Sequence, residues 1–182
     1  RAKAPSGYTI AVLGDSLGEG LWESLYRSSL KEKGCAVQRV ARRSVGFARF
    51  PLTTQIEAAL AKGPVQAFTI IVGVNDNDNS FFVNGRPVAL FGSDEWKRLY
   101  GERVGQFMDR LGQTGTPTIW VLLPAMRQAA ADRAAQIVNE IYVQEAKSRP
   151  HVHLVATREA TGDEQGNYTA YLKDASGRTR LL

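Results

Sequence analysis

The chain has 182 residues, of which 43% are hydrophobic and 23% are charged, and its formal net charge at pH 7 is +5. This length fits one domain with a single core. No apolar run approaches the roughly 18 residues of a membrane-spanning helix, so we expect no membrane span. The lone cysteine, Cys35, excludes an intrachain disulfide. Cysteine and histidine spacings typical of zinc sites are absent, so we expect no metal.

Basic residues cluster between positions 38 and 50. The members of this cluster are Arg39, Arg42, Arg43 and Arg49. Such a cluster fits a nucleic-acid surface or a solvated basic face near an anionic substrate. We favour the second interpretation and expect no nucleic-acid partner, because the net charge of +5 is mild.

Apolar runs alternate with helical patterns along the chain. The predicted strands cover residues 8–13, 35–40, 67–72, 118–123 and 152–156. The predicted helices cover residues 21–33, 55–61, 94–112 and 129–147, with Ser93 as the N-cap of the third. Two further stretches, residues 81–91 and 168–182, predict β-hairpins, the first from its Asn84-Gly85 pair.

This alternation predicts an α/β fold with a parallel sheet between helices on both faces. Right-handed crossovers limit the topology. We predict a three-layer α/β/α domain spanning residues 1–182, with a flavodoxin-like five-stranded parallel sheet in the order 2-1-3-4-5 and two added hairpins.

The string Gly14-Asp15-Ser16-Leu17 follows the first apolar run. A serine at the carboxyl end of a buried parallel strand can present its hydroxyl where open α/β sheets bind ligands. The next helix, expected to begin near residues 18–21, would direct free N–H groups toward an oxyanion. The alternative is that Ser16 is only a helix N-cap.

A second string, Val72-Gly73-Val74-Asn75-Asp76, follows the third apolar run. Together the two strings resemble the SGNH (GDSL) hydrolase family. Ser44-Val45-Gly46 is similar to that family's second motif, and the segments 84–88, 122–127 and 168–172 resemble a mostly uncharacterised, exported bacterial branch. The resemblance covers nearly the whole chain and implies the same sheet order.

The resemblance implies a site without a cofactor. Ser16 would be the nucleophile, and the Ser16 N–H, the Gly46 N–H and the Asn75 side-chain amide would form the oxyanion hole. The family's general base is a histidine within Asp-x-x-His near the C-terminus. The histidines of this chain, His151 and His153, do not have that spacing.

We expect the sequence to stop before the segment that carries the base. In the similar branch, an Asp-x-x-His block follows soon after a segment like residues 178–182. The alternative is a chain without a base, or with one supplied otherwise. A serine without a base is a weak nucleophile, because its hydroxyl must lose a proton as it attacks.

Other residues near these motifs have two interpretations each. Asp15 and Asp76 form either an acid–base or metal-binding pair or, as we favour, supports of turn geometry together with Gly73. Arg127 binds an anionic substrate group or pairs with a neighbouring acid. Trp22 and Phe47 line an acyl or sugar pocket or pack in the core. We interpret the two histidines as ordinary strand-edge residues.

The predicted function is serine-dependent hydrolysis, or acyl transfer, of a small-molecule or glycan ester through an acyl-enzyme. The alternative is a catalytically inactive domain that binds a cell-envelope glycan. The resemblance to an exported branch implies a periplasmic or otherwise extracytoplasmic location.

Overall fold

The computed structural model describes residues 7–29, 34–77, 80–173 and 176–181. In chain order its elements are β1 (Tyr8–Gly14), α1 (Ser16–Ser29), β2 (Cys35–Arg39), α2 (Thr53–Leu60), β3 (Ala67–Ile71), β4 (Phe81–Val83), β5 (Arg86–Ala89), α3 (Asp94–Gly112), β6 (Thr118–Val121), α4 (Ala129–Ala146), β7 (Val152–Val155), α5 (Arg158–Thr161), β8 (Tyr171–Lys173) and β9 (Thr179–Leu181).

Five strands form one parallel sheet in the order β2-β1-β3-β6-β7. Counted along the chain without the hairpins, this is the predicted order 2-1-3-4-5, so the predicted fold is confirmed. β1 lies between β2 and β3, and Gly14 at its end pairs with Ile71 at the end of β3. The carboxyl ends of β1 and β3 therefore meet at one edge, which brings the two motifs together.

The core lies mainly between the sheet and the helices α2, α3 and α4. Leu13, Ile70 and Trp120 share a register row, so their side chains point to one face, and all are fully buried. The Trp120 ring packs against Phe107 of α3 and Tyr142 of α4. α1 packs against β1, β2 and β3. α1 lies on the face of the sheet opposite to α2, α3 and α4. The connection from β1 to β2 moves across the sheet in one direction and the later connections move in the other, so right-handed crossovers place their helices on opposite faces.

α1 begins at Ser16, earlier than the predicted start, because the Asp15 carboxylate accepts a hydrogen bond from the Leu17 N–H in the first turn. Residues 30–33 of the predicted helix lie outside the described residues. α3 has the predicted bounds, and its N-cap Ser93 accepts from the Trp96 N–H at 3.2 Å. The short helix α5 was not predicted, and the other boundaries differ only at element ends.

Both predicted hairpins are present, as β4–β5 and β8–β9. The β4–β5 turn places Asn84 and Gly85 at φ 49° and 77°, the left-handed conformation that an Asn-Gly hairpin turn requires. In the β8–β9 hairpin, residues 174, 175 and 182 lie outside the described residues. Among the helices that the structure describes, none has the length and apolar character needed to cross a bilayer.

Candidate active site

Ser16 is exposed on the turn between β1 and α1. The turn requires a glycine before it, because Gly14 has φ 124° and a Cβ there would lie 1.8 Å from the Ile71 carbonyl oxygen. The buried Gln55 side chain fixes the same residue, accepting from the Gly14 N–H at 2.7 Å and donating to its carbonyl at 3.0 Å. The backbone that carries Ser16 is therefore rigid.

Asp15 connects the end of β1 to the end of β3. Its side chain is fully buried, and Oδ2 accepts from the Gly73 and Val74 N–H groups at 2.8 and 3.1 Å. Oδ1 accepts from the Leu17 N–H at 2.9 Å. Burial raises the pKa of Asp15, and these backbone donors counteract the shift. With all these bonds made, Asp15 is a structural support rather than a free acid or base.

Asp76 holds the loop that contains Gly46. Its Oδ2 accepts from the Phe47 N–H at 2.9 Å and from the Tyr100 hydroxyl at 2.7 Å, while Oδ1 accepts from the Ala48 N–H at 3.0 Å. A Cβ on Gly46 would lie 2.1 Å from Oδ1. Glycine is therefore required at position 46 by the close approach of the buried carboxylate, and not by an unusual φ.

The Asp76 carboxylate belongs to a buried chain of hydroxyl groups. The Tyr100 and Tyr142 hydroxyls lie 2.9 Å apart, and the Tyr142 hydroxyl donates to the Val72 carbonyl at 3.0 Å. Desolvation raises the pKa of Asp76 to about 6, although its donors oppose that shift. The network joins the loop containing Gly46, the end of β3 and the helices α3 and α4.

Asn75 directly precedes Asp76 in the sequence. Together with the loop that contains Gly46, it lines a groove. Its Nδ2 donates to the Val45 carbonyl at 2.9 Å. The groove, of about 320 Å³, is lined by Ser44, Gly46, Arg49, Val74, Asn75, Asp76 and Asn77. Ser44 has φ 60°, an unfavourable conformation for a non-glycine residue of the kind found at functional sites.

Within the described ranges, two backbone N–H groups at this edge of the sheet donate no hydrogen bond. Among the described residues, no acceptor takes the N–H of Ser16 or of Gly46, and none takes the Ser16 hydroxyl hydrogen. The first N–H groups of a helix have no partner within the helix itself. The carboxyl edge of the sheet thus carries the exposed Ser16 hydroxyl on one loop and the Gly46 N–H on another, although Ser16 is not among the residues that line the groove.

The structure corrects the pocket role considered for Phe47. Its ring is fully buried and packs against Tyr100, Phe107 and Trp120, so it belongs to the core. Trp22 is half-buried, and its indole N–H donates to the Val37 carbonyl at 3.1 Å. Because Val37 lies in the middle of the edge strand β2, Trp22 covers that edge rather than the groove.

Arg127 is exposed, and within the described part of the chain it forms no ion pair. The neighbouring acid, Asp132, binds Arg158 instead, at 2.8 Å. Together with Met126, whose N–H also donates to Asp132, this pair fixes the loop after β6.

The two histidines lie away from Ser16. His151 precedes β7, and its Nε2 lies 2.8 Å from the Met108 carbonyl near the end of α3. His153 is exposed on β7 and pairs in register with Ile119. Ser16 lies at the carboxyl edge of the sheet, whereas His151 lies at the amino edge. Within the described ranges, no three His, Cys, Asp or Glu side chains cluster as metal ligands would.

A larger cavity of about 620 Å³ lies beside α4 and near α5. Several of its polar groups bind other protein groups. Arg158 binds Asp132, Lys147 donates to Gln144, and the Asn139 amide bonds to the Leu123 backbone. In the smaller groove, by contrast, the Gly46 N–H donates to no group of the described residues.

Sequence reasoning missed three residues that support the site: Gln55, Tyr100 and Arg103. Arg103 donates to the Phe47 and Phe82 carbonyls at 2.7 and 3.0 Å, which joins the loop containing Gly46 to the β4–β5 hairpin. Gln55 and Arg103 interrupt amphipathic helices on sides that face the protein. In the sequence, a polar residue on the side of a helix that faces the protein is the signal that could have identified them.

The sheet order, with helices on both faces of the sheet, is that of the SGNH-type α/β/α fold. Solved structures with this fold include a catalytic mutant of the acetylxylan esterase Axe2 from Geobacillus stearothermophilus, with a TM-score of 0.64 and 13% identity over 92% of this chain and 84% of that chain. TesA matches with a TM-score of 0.60 and 18% identity over 93% and 87% of the two chains. A G-D-S-L family lipolytic protein from Desulfitobacterium hafniense DCB-2 matches with a TM-score of 0.61 and 13% identity over 90% and 85%.

The chain belongs to the family described as "Protein of unknown function (DUF459)", whose model matches residues 9–182. A search of curated proteins found no match. At the identities given above, the likeness to solved structures establishes the fold, and the activity has to be argued from the site.

Proposed function

We propose that this protein is a serine-dependent ester hydrolase with Ser16 as its nucleophile. One observation carries the proposal: an exposed serine hydroxyl lies at the same sheet edge as two backbone N–H groups, those of Ser16 and Gly46, that donate to no acceptor in the described part of the chain. Preorganised donors of this kind stabilise the negative charge that develops during acyl transfer. The buried carboxylates of Asp15 and Asp76 hold these donors in place before substrate binds.

In the proposed reaction, the Ser16 hydroxyl oxygen attacks the ester carbonyl while its proton passes to a general base. The N–H groups of Ser16 and Gly46 and the Asn75 amide stabilise the tetrahedral oxyanion. Its collapse breaks the ester bond, and the departing alcohol takes the proton from the base. Water then hydrolyses the acyl-enzyme by the same steps. A sugar hydroxyl in place of that water would make the reaction an acyl transfer.

The base in this scheme is neither His151 nor His153. A base must lie within about 3 Å of the serine hydroxyl, directly or through one water. His151 is held by the Met108 carbonyl at the other edge of the sheet, and His153 lies along β7. We place the base C-terminal to Leu182, in the Asp-x-x-His segment that the family resemblance implies.

A small apolar cavity beside the groove favours a short acyl group. It measures about 50 Å³, shares Val74 and Asn77 with the groove, and is otherwise lined by Gly73, Leu123, Met126, Ala131 and Ala135. An engineered apolar cavity of about 150 Å³ binds benzene, so a cavity of about a third of that volume accommodates an acetyl methyl group but no long chain. The larger polar groove would hold the alcohol part, for which we propose a carbohydrate or another small polar alcohol.

The placement of the histidines also supports a second candidate, a domain that binds a cell-envelope glycan in the same groove without hydrolysing it. In that case Ser16 and the N–H donors would contact a glycan hydroxyl. For either function, we propose an extracytoplasmic location from the family resemblance, which cell fractionation tests.

The test compares the full-length natural gene product with the chain of residues 1–182, using a chromogenic acetyl ester. We expect hydrolysis by the full-length protein, loss of that activity with Ser16→Ala, and little activity in the shorter chain. Activity of the shorter chain that disappears with His153→Ala would contradict the proposed base. Glycan binding by the full-length protein without any hydrolysis would favour the second candidate.

A further inference from the structure

Arg49 lines the groove that contains Gly46 and Asn75. Its side chain is exposed at the rim, so a bound molecule can reach the guanidinium. The groove's one described carboxylate, Asp76, already accepts hydrogen bonds from the Phe47 and Ala48 N–H groups and from the Tyr100 hydroxyl. Because Asp76 is buried and its oxygens are occupied, the charged group that a ligand in the groove can contact directly is the Arg49 guanidinium.

The Arg49 guanidinium is held in position by the β4–β5 hairpin. Its Cζ lies 4.6 Å from the centre of the Phe82 ring, within cation–π distance. The hairpin is fixed to the loop containing Gly46, because the Phe82 N–H donates to the Ala48 carbonyl at 2.8 Å. Arg103 bridges the Phe47 and Phe82 carbonyls in the same region. The added hairpin thus fixes a cation beside the candidate oxyanion hole.

Two other arginines of the basic cluster are paired with a carboxylate, whereas Arg49 has no such partner among the described residues. Arg39 and Arg43 both bind Glu19, at 3.6 and 2.7 Å. Among the residues that the structure describes, Arg49 has no carboxylate partner. Arg42, which precedes Gly46 in the sequence, is also exposed but lines a different cleft, together with Phe50.

We propose that Arg49 forms an anion-binding subsite, and that the ester this protein acts on carries a negatively charged group on its alcohol part. This inference rests on the proposed ester hydrolysis and narrows its substrate class. A carboxylate, a sulfate or a phosphate would each satisfy a guanidinium, which presents a planar fork of donors. A uronate, a sulfated sugar and a phosphorylated sugar are the corresponding alcohols.

The kinetic test uses the full-length protein with 4-nitrophenyl acetate and its carboxylated analogue, 5-acetoxy-2-nitrobenzoate. We expect kcat/KM to favour the anionic ester by about fivefold at low salt, as for a partly exposed ion pair, after correction for the different leaving groups by their uncatalysed rates. Added salt should reduce that preference. Arg49→Gln should abolish it, and Arg49→Lys should retain part of it. Arg86→Gln is the matched control, because it removes the same charge from the hairpin outside the groove lining.

A binding test separates this inference from the proposed function. The Ser16→Ala protein, labelled with ¹⁵N, is titrated with glucuronate, glucose 6-sulfate, glucose 6-phosphate and glucose. We expect the three anions, but not glucose, to shift the Arg49 side-chain and Asn75 amide signals, with no shift in Arg49→Gln. The relative affinities identify the preferred anion.

The outcomes of the two tests are distinct. Anion binding without ester hydrolysis by the parent protein would keep the subsite and overturn the proposed function. Hydrolysis that requires Ser16 but shows no charge preference, together with no anion-induced shifts, would overturn the subsite alone. If Arg86→Gln lost the preference for the anionic ester as fully as Arg49→Gln, that preference would come from the net charge of the protein. This result would also contradict the subsite.

Discussion

Titration of the buried Asp76 carboxyl predicts an unusual pH dependence of folding stability. Its pKa is raised from 3.8 to about 6 in the folded protein, chiefly by desolvation. Between these two values the folded state binds more protons than the unfolded state, so the contribution of Asp76 to stability falls as the pH rises. The shift of about 2 units corresponds to about 3 kcal/mol, lost by pH 7 and fully present below about pH 4.

The measurement is urea unfolding of the parent chain and of Asp76→Asn between pH 4 and pH 7. The asparagine variant does not titrate, so the difference between the two proteins isolates Asp76 from the other carboxyl groups. We expect the free energy of unfolding of the parent to decrease by about 3 kcal/mol relative to the variant across this range. Tyr100→Phe removes the donor at 2.7 Å and should move the transition to higher pH.

The opposite slope would refute this reasoning. If the parent gained stability relative to Asp76→Asn as the pH rose, its N–H and hydroxyl donors would outweigh desolvation, and the pKa would lie below 3.8. Asp163→Asn serves as a control, because Asp163 also accepts backbone N–H bonds, at 2.8 and 3.0 Å, but is exposed. It should show no such loss with rising pH.

Two further substitutions test the geometry of the site. Gly46→Ala places a Cβ 2.1 Å from the Asp76 Oδ1, so we expect the free energy of unfolding to fall by about 1–3 kcal/mol and the esterase activity to decrease. The control is Gly20→Ala, where a Cβ meets nothing within 4 Å, and we expect it to stabilise α1. An unchanged melting temperature in Gly46→Ala would contradict the close approach. Met126→Ala should enlarge the cavity of about 50 Å³ and raise the butyryl-to-acetyl ratio of kcat/KM severalfold, whereas an unchanged ratio would exclude this cavity as the acyl pocket.

The fold was predictable because its signals are local. A strand buried on both faces has a continuous apolar run, as in β3, and an amphipathic helix has the spacing seen in α3. The start of α1 was predicted too late, because Asp15 caps the helix with the same side chain that holds the β3 loop. The periodicity of the apolar residues carries no information about such a shared role.

The supports of the site could not be predicted in the same way, because they depend on contacts between distant segments. Gln55 binds Gly14, 41 residues away in sequence, and Arg103 binds the Phe47 carbonyl, 56 residues away. Phe47 follows the predicted Gly46 directly, yet its ring turns into the core. Neighbouring positions in a loop can face opposite directions, and a motif does not specify which residues face the substrate.

Covalent labelling of Ser16 tests the central claim most directly. The full-length protein is treated with an alkyl fluorophosphonate, and the adduct is located by intact mass and peptide mapping. We predict one stoichiometric adduct on Ser16, absent in Ser16→Ala and unchanged in Ser24→Ala, which removes another exposed serine of α1. Absence of labelling in a folded full-length protein, or labelling that survives Ser16→Ala, would contradict the assignment of Ser16 as the nucleophile.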